Sequence, residues 1–331
     1  MKNLLTKIGK KSKEAFFDKL SSKKKDKVLK DYYNLIDKNR KLIINENKKD
    51  IKNAYKKKIK NNLIERLILD NKKISNIISS IKKIIKLKDP TNIVLDSWKR
   101  PNGLSISKVS IPIGVIGIIY ESFKSGNAAI LKGGSEAFYS NLILSKLFRK
   151  SLRKNNINEN FVQFINIKNR KVVDYLLKNM NKFIDVIIPR GGKKLVKKVQ
   201  DLSSVPTIGH LEGICHSYVD KDANPRIAKK VIHNAKLRNT AICGATETIL
   251  LHEKIIKKFG NQILKILEDN GCKIIGDNKI RKLYNKKITK ASIKDWSKEY
   301  LTSIVSVKSV KNIDEAILHI NKYGTMHTDC I

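Results

Sequence analysis

The chain has 331 residues, 41% of them hydrophobic, and a formal charge of +40. This length suits one large or two medium domains with a real core, and with no run of eighteen apolar residues no transmembrane helix is expected. The charge by itself points to nucleic acid, but the excess is diffuse, Lys, Ile and Asn are enriched together, and no aromatic-studded basic groove is visible, so only non-specific polyanion affinity at low salt is expected.

The first twenty residues, MKNLLTKIGKKSKEAFFDKL, match neither a secretory signal nor an Arg-rich transit peptide. Residues 1–90 read as helices. In SSKKKDKVLKDYYNLIDKN, Ser22 is the expected N-cap, and Val28, Leu29, Tyr32, Tyr33, Leu35 and Ile36 share one broad face. NNLIERLILDNKKISNIISSIKKIIKL repeats the pattern, and the lysine runs between read as solvated faces. Asp89-Pro90 closes this block. Ile93–Trp98 and Leu104–Ser110 flank RPNG as a hairpin. Strands are then predicted at Val115–Tyr120, 128–131, 161–166, 184–189 and 205–209, separated by helices, the pattern of a parallel α/β sheet. A second unit follows: strand GICHSYVD, helix NPRIAKKVIHNAKL, a loop with Cys243, strand TETILL, GCKIIGD, YLTSIVSVKSV and helix IDEAILHINKY.

Three motifs carry chemistry. VIIPRGGKKLVKK sets Gly191 and Gly192 between a buried strand and a basic helix, either a phosphate loop or an ordinary tight turn. AILKGGSEAFYSN repeats the arrangement with Lys132, Gly133 and Gly134, its helix expected to open at Ser135. Two such loops at one end of a sheet favour a nucleotide crevice, although neither is GxGxxG. GHLEGICH holds His210, Glu212 and His216, whose alternation along a strand is poor for a metal, so no metal site is predicted. Cys215, Cys243, Cys272 and Cys330 form no CxxC pair, which fits a reducing, cytoplasmic setting. Residues alone leave Cys243 open between a small buried hydrophobe and a nucleophile.

IPIGVIGIIYES, KSGNAAILKGGSEAFYSN, IDVIIPRGGKKLV, GHLEGICHSYVD and NAKLRNTAICGATETILL, in this order, resemble the γ-glutamyl phosphate reductase (glutamate-5-semialdehyde dehydrogenase) family of the aldehyde dehydrogenase superfamily. The resemblance implies an α/β aldehyde-dehydrogenase-like fold: a Rossmann-type nucleotide-binding domain over residues 1–212, with a β-hairpin oligomerisation flap at about 92–112, and a catalytic domain over 213–331. It implies NADPH-dependent reduction of γ-glutamyl phosphate to glutamate 5-semialdehyde and phosphate in proline synthesis, through a thioester on Cys243. Lys132, Gly133, Gly134, Arg190, Gly191 and Gly192 are the implied cofactor residues. Asn234, Lys236 and Arg238 are weaker candidates for the substrate's charges. A homo-oligomer is implied, with glutamate 5-kinase as a further partner. Glu212 is not expected to act as a base, because acyl-phosphate reduction activates no water, and Cys215 is expected in the core.

The chain departs from the family pattern twice. After Ser122 it lacks a segment with an oxyanion-holding asparagine and a helix, and its end corresponds to a point inside the catalytic domain, so that domain reads as truncated. A catalytically inactive remnant that still binds nucleotide or a partner is therefore the alternative. Only residues 121–127 join the strands at 115 and 128, too few for an ordinary crossover helix. A shortened strand, an extended return or an antiparallel pairing is expected there, with an apolar sheet face left exposed.

Overall fold

The structure is a computed structural model that describes every residue except 19, 60, 118–120, 170, 190–192, 210 and 285–287. Two compact units divide the chain, Met1–Gly209 and His210–Ile331.

The first unit opens with helices α1 (Lys2–Phe16), α2 (Ser22–Lys38), α3 (Arg40–Lys56), α4 (Asn61–Leu67) and α5 (Asn71–Lys86). Ser21, not Ser22, caps α2: its side chain accepts from the Lys24 N–H, satisfying one of the donors a helix start leaves over. The buried stripe of α2 is Lys25, Val28, Leu29, Tyr32 and Ile36. Lys25 departs from the expected solvated face because its Nζ is paired at 2.5 Å with Asp89 and bonded to Thr91, which ties the helix to the base of the hairpin.

That hairpin pairs β1 (Val94–Lys99) with β2 (Ser105–Val109). Its turn closes through the Gly103 N–H to the Arg100 carbonyl, with Gly103 at φ +84°, a conformation that costs glycine little. Leu95 and Trp98 stand exposed on it.

A four-stranded parallel sheet follows, β3 (Val115–Gly117), β4 (Ala128–Leu131), β5 (Val162–Phe164) and β6 (Val186–Ile187), in the order β5-β4-β3-β6. Between β3 and β4 lies one helical turn, α6 (Glu121–Lys124). The strands remain parallel, so antiparallel pairing is excluded; residues 118–120 of the strand expected over 115–120 lie outside the described residues. The expected exposed face is also absent at β4, which is buried along its whole length. Helix α1 packs on β3, β4 and β5, and Phe123 is buried with its ring edge-on to Phe148 and Phe161. Helices α7 (Phe138–Lys154), α8 (Lys171–Asn179) and α9 (Lys193–Leu202) complete the unit. The strand expected over 205–209 reduces to a single bridge from Thr207 to Ile187, where Pro206 has no N–H to extend a ladder.

The second unit is a six-stranded parallel sheet: β7 (Cys215–Val219), β8 (Thr246–His252), β9 (Lys273–Gly276), β10 (Thr289–Lys290), β11 (Ile304–Val310) and β12 (Asp329–Cys330), ordered β10-β9-β11-β8-β7-β12. Helix α10 (Pro225–Leu237) precedes β8, with Asn224 as N-cap and proline in its first turn. Helix α11 (Glu253–Ile255) runs through a π turn at Ile256–Gly260 into α12 (Asn261–Asp269). Helices α13 (Asn278–Leu283) and α14 (Ile313–Tyr323) follow. Ile249, Leu250 and Leu251 on central β8 are fully buried, which explains the continuous apolar run in this stretch.

His216 on β7 and His319 on α14 are buried, with ring centroids 5.6 Å apart. His216 Nδ1 is 2.9 Å from Asp329, whereas the Lys308 ammonium lies 3.2 Å from His319 Nδ1. Burial, with Lys308 beside it, pushes His319 down to about 3. A histidine that stays neutral in the fold but charges when unfolded makes stability fall as pH drops below about 6.5, and keep falling towards 3, by up to about 1.4 kcal/mol per pH unit. In urea unfolding, the native chain is expected to lose about 2 kcal/mol more than His319→Phe between pH 6.5 and pH 5; equal losses would mean that His319 takes up its proton in the fold.

Candidate active site

In the first unit, the Lys132–Gly134 loop leaves the end of β4 and leads towards α7. Lys132 is half-buried, and its Nζ donates to the Gly133 carbonyl at 3.0 Å. Burial draws its pKa below the ordinary lysine value, with Glu136 acting in the opposite direction. A Cβ at Gly133 would meet the Asn141 side chain at 2.5 Å and one at Gly134 would meet Glu136 at 2.8 Å, so side chains here would have to displace neighbours. A shallow cleft opens beside Lys132, lined by Gly117, Ile130, Leu176, Ile187, Pro189 and Val199 among others. An apolar cleft with a cation at its edge, next to the C-terminal ends of parallel strands, suits a nucleotide.

Helix α7 itself does not open at Ser135. It starts at Phe138, and its first N–H groups are occupied: the Asp50 carboxylate of α3 accepts from the Tyr139 and Ser140 N–H groups at 3.0 and 2.8 Å, and from the Ser140 hydroxyl at 2.7 Å. The helix end expected to attract phosphate is therefore already neutralised by a carboxylate of the protein. The sequence held no signal for this long-range cap. The second expected loop, Arg190, Gly191 and Gly192, lies outside the described residues.

In the second unit, Cys243 sits at the apex of a tight turn. The Ala245 N–H bonds the Ile242 carbonyl at 3.1 Å, leaving Cys243 and Gly244 as the central residues between α10 and β8. Cys243 is half-buried, and a Cβ on Gly244 would meet nothing within 4 Å. The backbone beneath is tightly held. The buried Cys215 thiol donates to the Cys243 carbonyl at 3.1 Å, and burial and Asp329 push that thiol up to about 11. Gly213, whose N–H bonds Glu299 at 3.0 Å, packs against the same turn; a Cβ there would stand 2.1 Å from the Cys243 carbonyl oxygen. Gly213→Ala must therefore shift the turn by an ångström or more, a displacement expected to cost about 100-fold in turnover. Comparison of kcat with thermal stability checks this: unchanged turnover in a folded variant would show that the turn has no fixed position.

The candidate substrate residues separate. Asn234 and Arg238 are exposed at the end of α10, on the approach to the turn. Lys236 is fully buried and bonded to Glu247 of β8 at 2.6 Å, while the other Glu247 oxygen accepts from the Leu301 N–H at 3.1 Å. Lys236 thus holds the loop's two ends together instead of reaching a ligand. Glu247 was missed in the sequence reading, although a carboxylate within the apolar run TETILL was a signal. Glu212 is half-buried, and His210 lies outside the described residues. His327 was also passed over: its Nδ1 is 3.6 Å from the Cys215 sulfur. Among the described residues, no group of three or more His, Cys, Asp or Glu is arranged to hold a metal ion.

Residues 6–272 match the model of the aldehyde dehydrogenase family. The γ-glutamyl phosphate reductase of Thermodesulfovibrio yellowstonii is 39% identical over 345 aligned positions, covering all of this chain and 82% of its own. Since this chain has 331 residues, that relative carries residues absent here. The enzyme of the same name from Bartonella quintana is 43% identical over 281 residues, 81% of this chain and 68% of its own. The crystal structure of γ-glutamyl phosphate reductase from Thermotoga maritima superposes with a TM-score of 0.90 at 37% identity, over 99% of this chain and 82% of that one. The chain belongs to the aldehyde dehydrogenase family, among the γ-glutamyl phosphate reductases.

Proposed function

We propose that the chain reduces γ-glutamyl phosphate to glutamate 5-semialdehyde and phosphate, with Cys243 as nucleophile and NADPH as reductant, in proline synthesis. The observation that carries this reading is Cys243 at the apex of a turn held from below by Gly213 and Cys215, in a chain of this family. The Cys243 thiolate attacks the acyl carbon, the S–C bond forms, and phosphate departs with the electron pair of the C–O bond, leaving a thioester. A thiolate suits both halves of the cycle, being a strong nucleophile at neutral pH and a good leaving group when the reduced carbon becomes an aldehyde. NADPH, when bound, supplies the hydride. Lys132 and the cleft beside it would hold the nucleotide, with Gly133 and Gly134 allowing close backbone approach; Arg190, Gly191 and Gly192 are assigned to the same task by family resemblance. Asn234 and Arg238 would meet the charges of the substrate.

A reducing cytoplasm suits the four free cysteines, and among the described residues no helix is long and apolar enough to cross a membrane. The exposed β1–β2 hairpin is assigned to self-association, and glutamate 5-kinase is the expected source of the labile acyl phosphate. The assay is the reverse reaction: phosphate-dependent formation of NADPH from NADP and glutamate 5-semialdehyde by the purified full chain. Turnover that needs phosphate and NADP together is the expected result, and absence of turnover in both directions would overturn the reading.

A further inference from the structure

Cys215 has no part in the proposed reaction, yet its thiol lies between the backbone of Cys243 and an imidazole. It donates to the Cys243 carbonyl at 3.1 Å and lies 3.6 Å from His327 Nδ1. Cys215 opens β7 opposite Thr246 of β8, directly after the Cys243 turn. The contact with the Cys243 carbonyl sets the Cys215 sulfur against the backbone of Cys243 itself, a few bonds from the Cys243 sulfur.

We propose that Cys215 is a resolving cysteine, which converts peroxide-oxidised Cys243 into a reversible Cys215–Cys243 disulfide. This rests on the reading of Cys243 as an accessible, reactive thiolate. In the first step, the Cys243 sulfur attacks one oxygen of hydrogen peroxide. The O–O bond breaks, Cys243 becomes a sulfenic acid, and the displaced hydroxide is protonated to water. In the second, the Cys215 sulfur attacks the sulfenic sulfur, the S–S bond forms, and the S–O bond breaks. The thiol proton passes to His327, and the hydroxyl leaves as water once protonated. Burial keeps Cys215 protonated, so it resists oxidation itself and needs the nearby imidazole to ionise as it attacks. The disulfide removes the nucleophile from use and shields it from irreversible oxidation to sulfinic acid; a dithiol reverses it.

The test uses the full reduced chain, treated with hydrogen peroxide, cleared of peroxide, blocked with iodoacetamide at neutral pH and mapped by peptide mass spectrometry. A Cys215–Cys243 linked peptide is expected. Iodoacetamide labelling of Cys243 should fall more than tenfold and return with dithiothreitol. In Cys215→Ser and Cys215→Ala, two variants so that one folding failure does not decide the outcome, Cys243 should proceed to sulfinic acid and labelling should not return. His327→Gln should slow cross-linking. Over-oxidised Cys243 without the linked peptide in the native chain, or linkage to Cys272 or Cys330, would overturn the proposal. If Cys243 labels rapidly before peroxide yet never cross-links, the resolving role falls and the catalytic reading stands. If it neither labels nor oxidises, both fall.

Discussion

Cys243→Ala is expected to lower phosphate-dependent oxidation of glutamate 5-semialdehyde by about 10⁴-fold or more, because no other group in the turn can form the thioester. Cys215→Ala, one hydrogen bond away, should cost less than about tenfold. Its sulfur contacts the backbone of the nucleophile and not the reacting carbon, and a lost neutral hydrogen bond is worth about 1 kcal/mol. The contrast separates the two cysteines where the sequence alone leaves Cys243 ambiguous. Steady-state rates of both variants, with thermal melts to confirm folding, decide it. Equal loss in the two would relocate the nucleophile or make Cys215 part of the chemistry.

Lys236→Met should be the most damaging change to stability, at about 3–5 kcal/mol. Lys236 and Glu247 are both fully buried and paired at 2.6 Å. Burial pushes the Glu247 carboxyl up, against the pull of the Lys236 ammonium. Removing the ammonium leaves a buried carboxylate with only backbone partners, which must either protonate or unfold its surroundings. Lys236→Met combined with Glu247→Leu should recover most of that loss, since a well-packed apolar pair can replace a buried ion pair at little net cost. The pair bridges α10 and β8, so the single variants should also loosen the Cys243 turn and lower kcat, while the double variant restores stability more fully than rate. Urea unfolding of the four proteins completes the cycle. Additive losses from the two single changes would show that the pair is not coupled.

The order of elements was legible in the sequence because it depends on local periodicity and end signals. The helix IDEAILHINKY was read with the bounds it has, α10 with its Asn224-Pro225 start, and the hairpin around RPNG to within a residue or two. The Cys243 position followed from family resemblance, since a cysteine between a helix and a strand is chemically ambiguous by itself. The parallel β3–β4 pair was harder. Loop length alone allowed an antiparallel return, and only the burial of Phe123 against Phe148 and Phe161 shows how one helical turn closes that side.

What the sequence by itself determined, then, were the α/β alternation, the family motifs and the candidate nucleophile: properties of neighbouring residues or of long contiguous stretches. Tertiary structure alone decided which polar groups are already engaged. Asp50 reaches across 89 residues to cap α7, Lys236 turns inward to Glu247, and Cys215 comes to lie between the Cys243 carbonyl and His327, 112 residues further along. A buried charge or donor must find its partner wherever the fold brings one within about 3 Å. Sequence spacing carries no record of that distance.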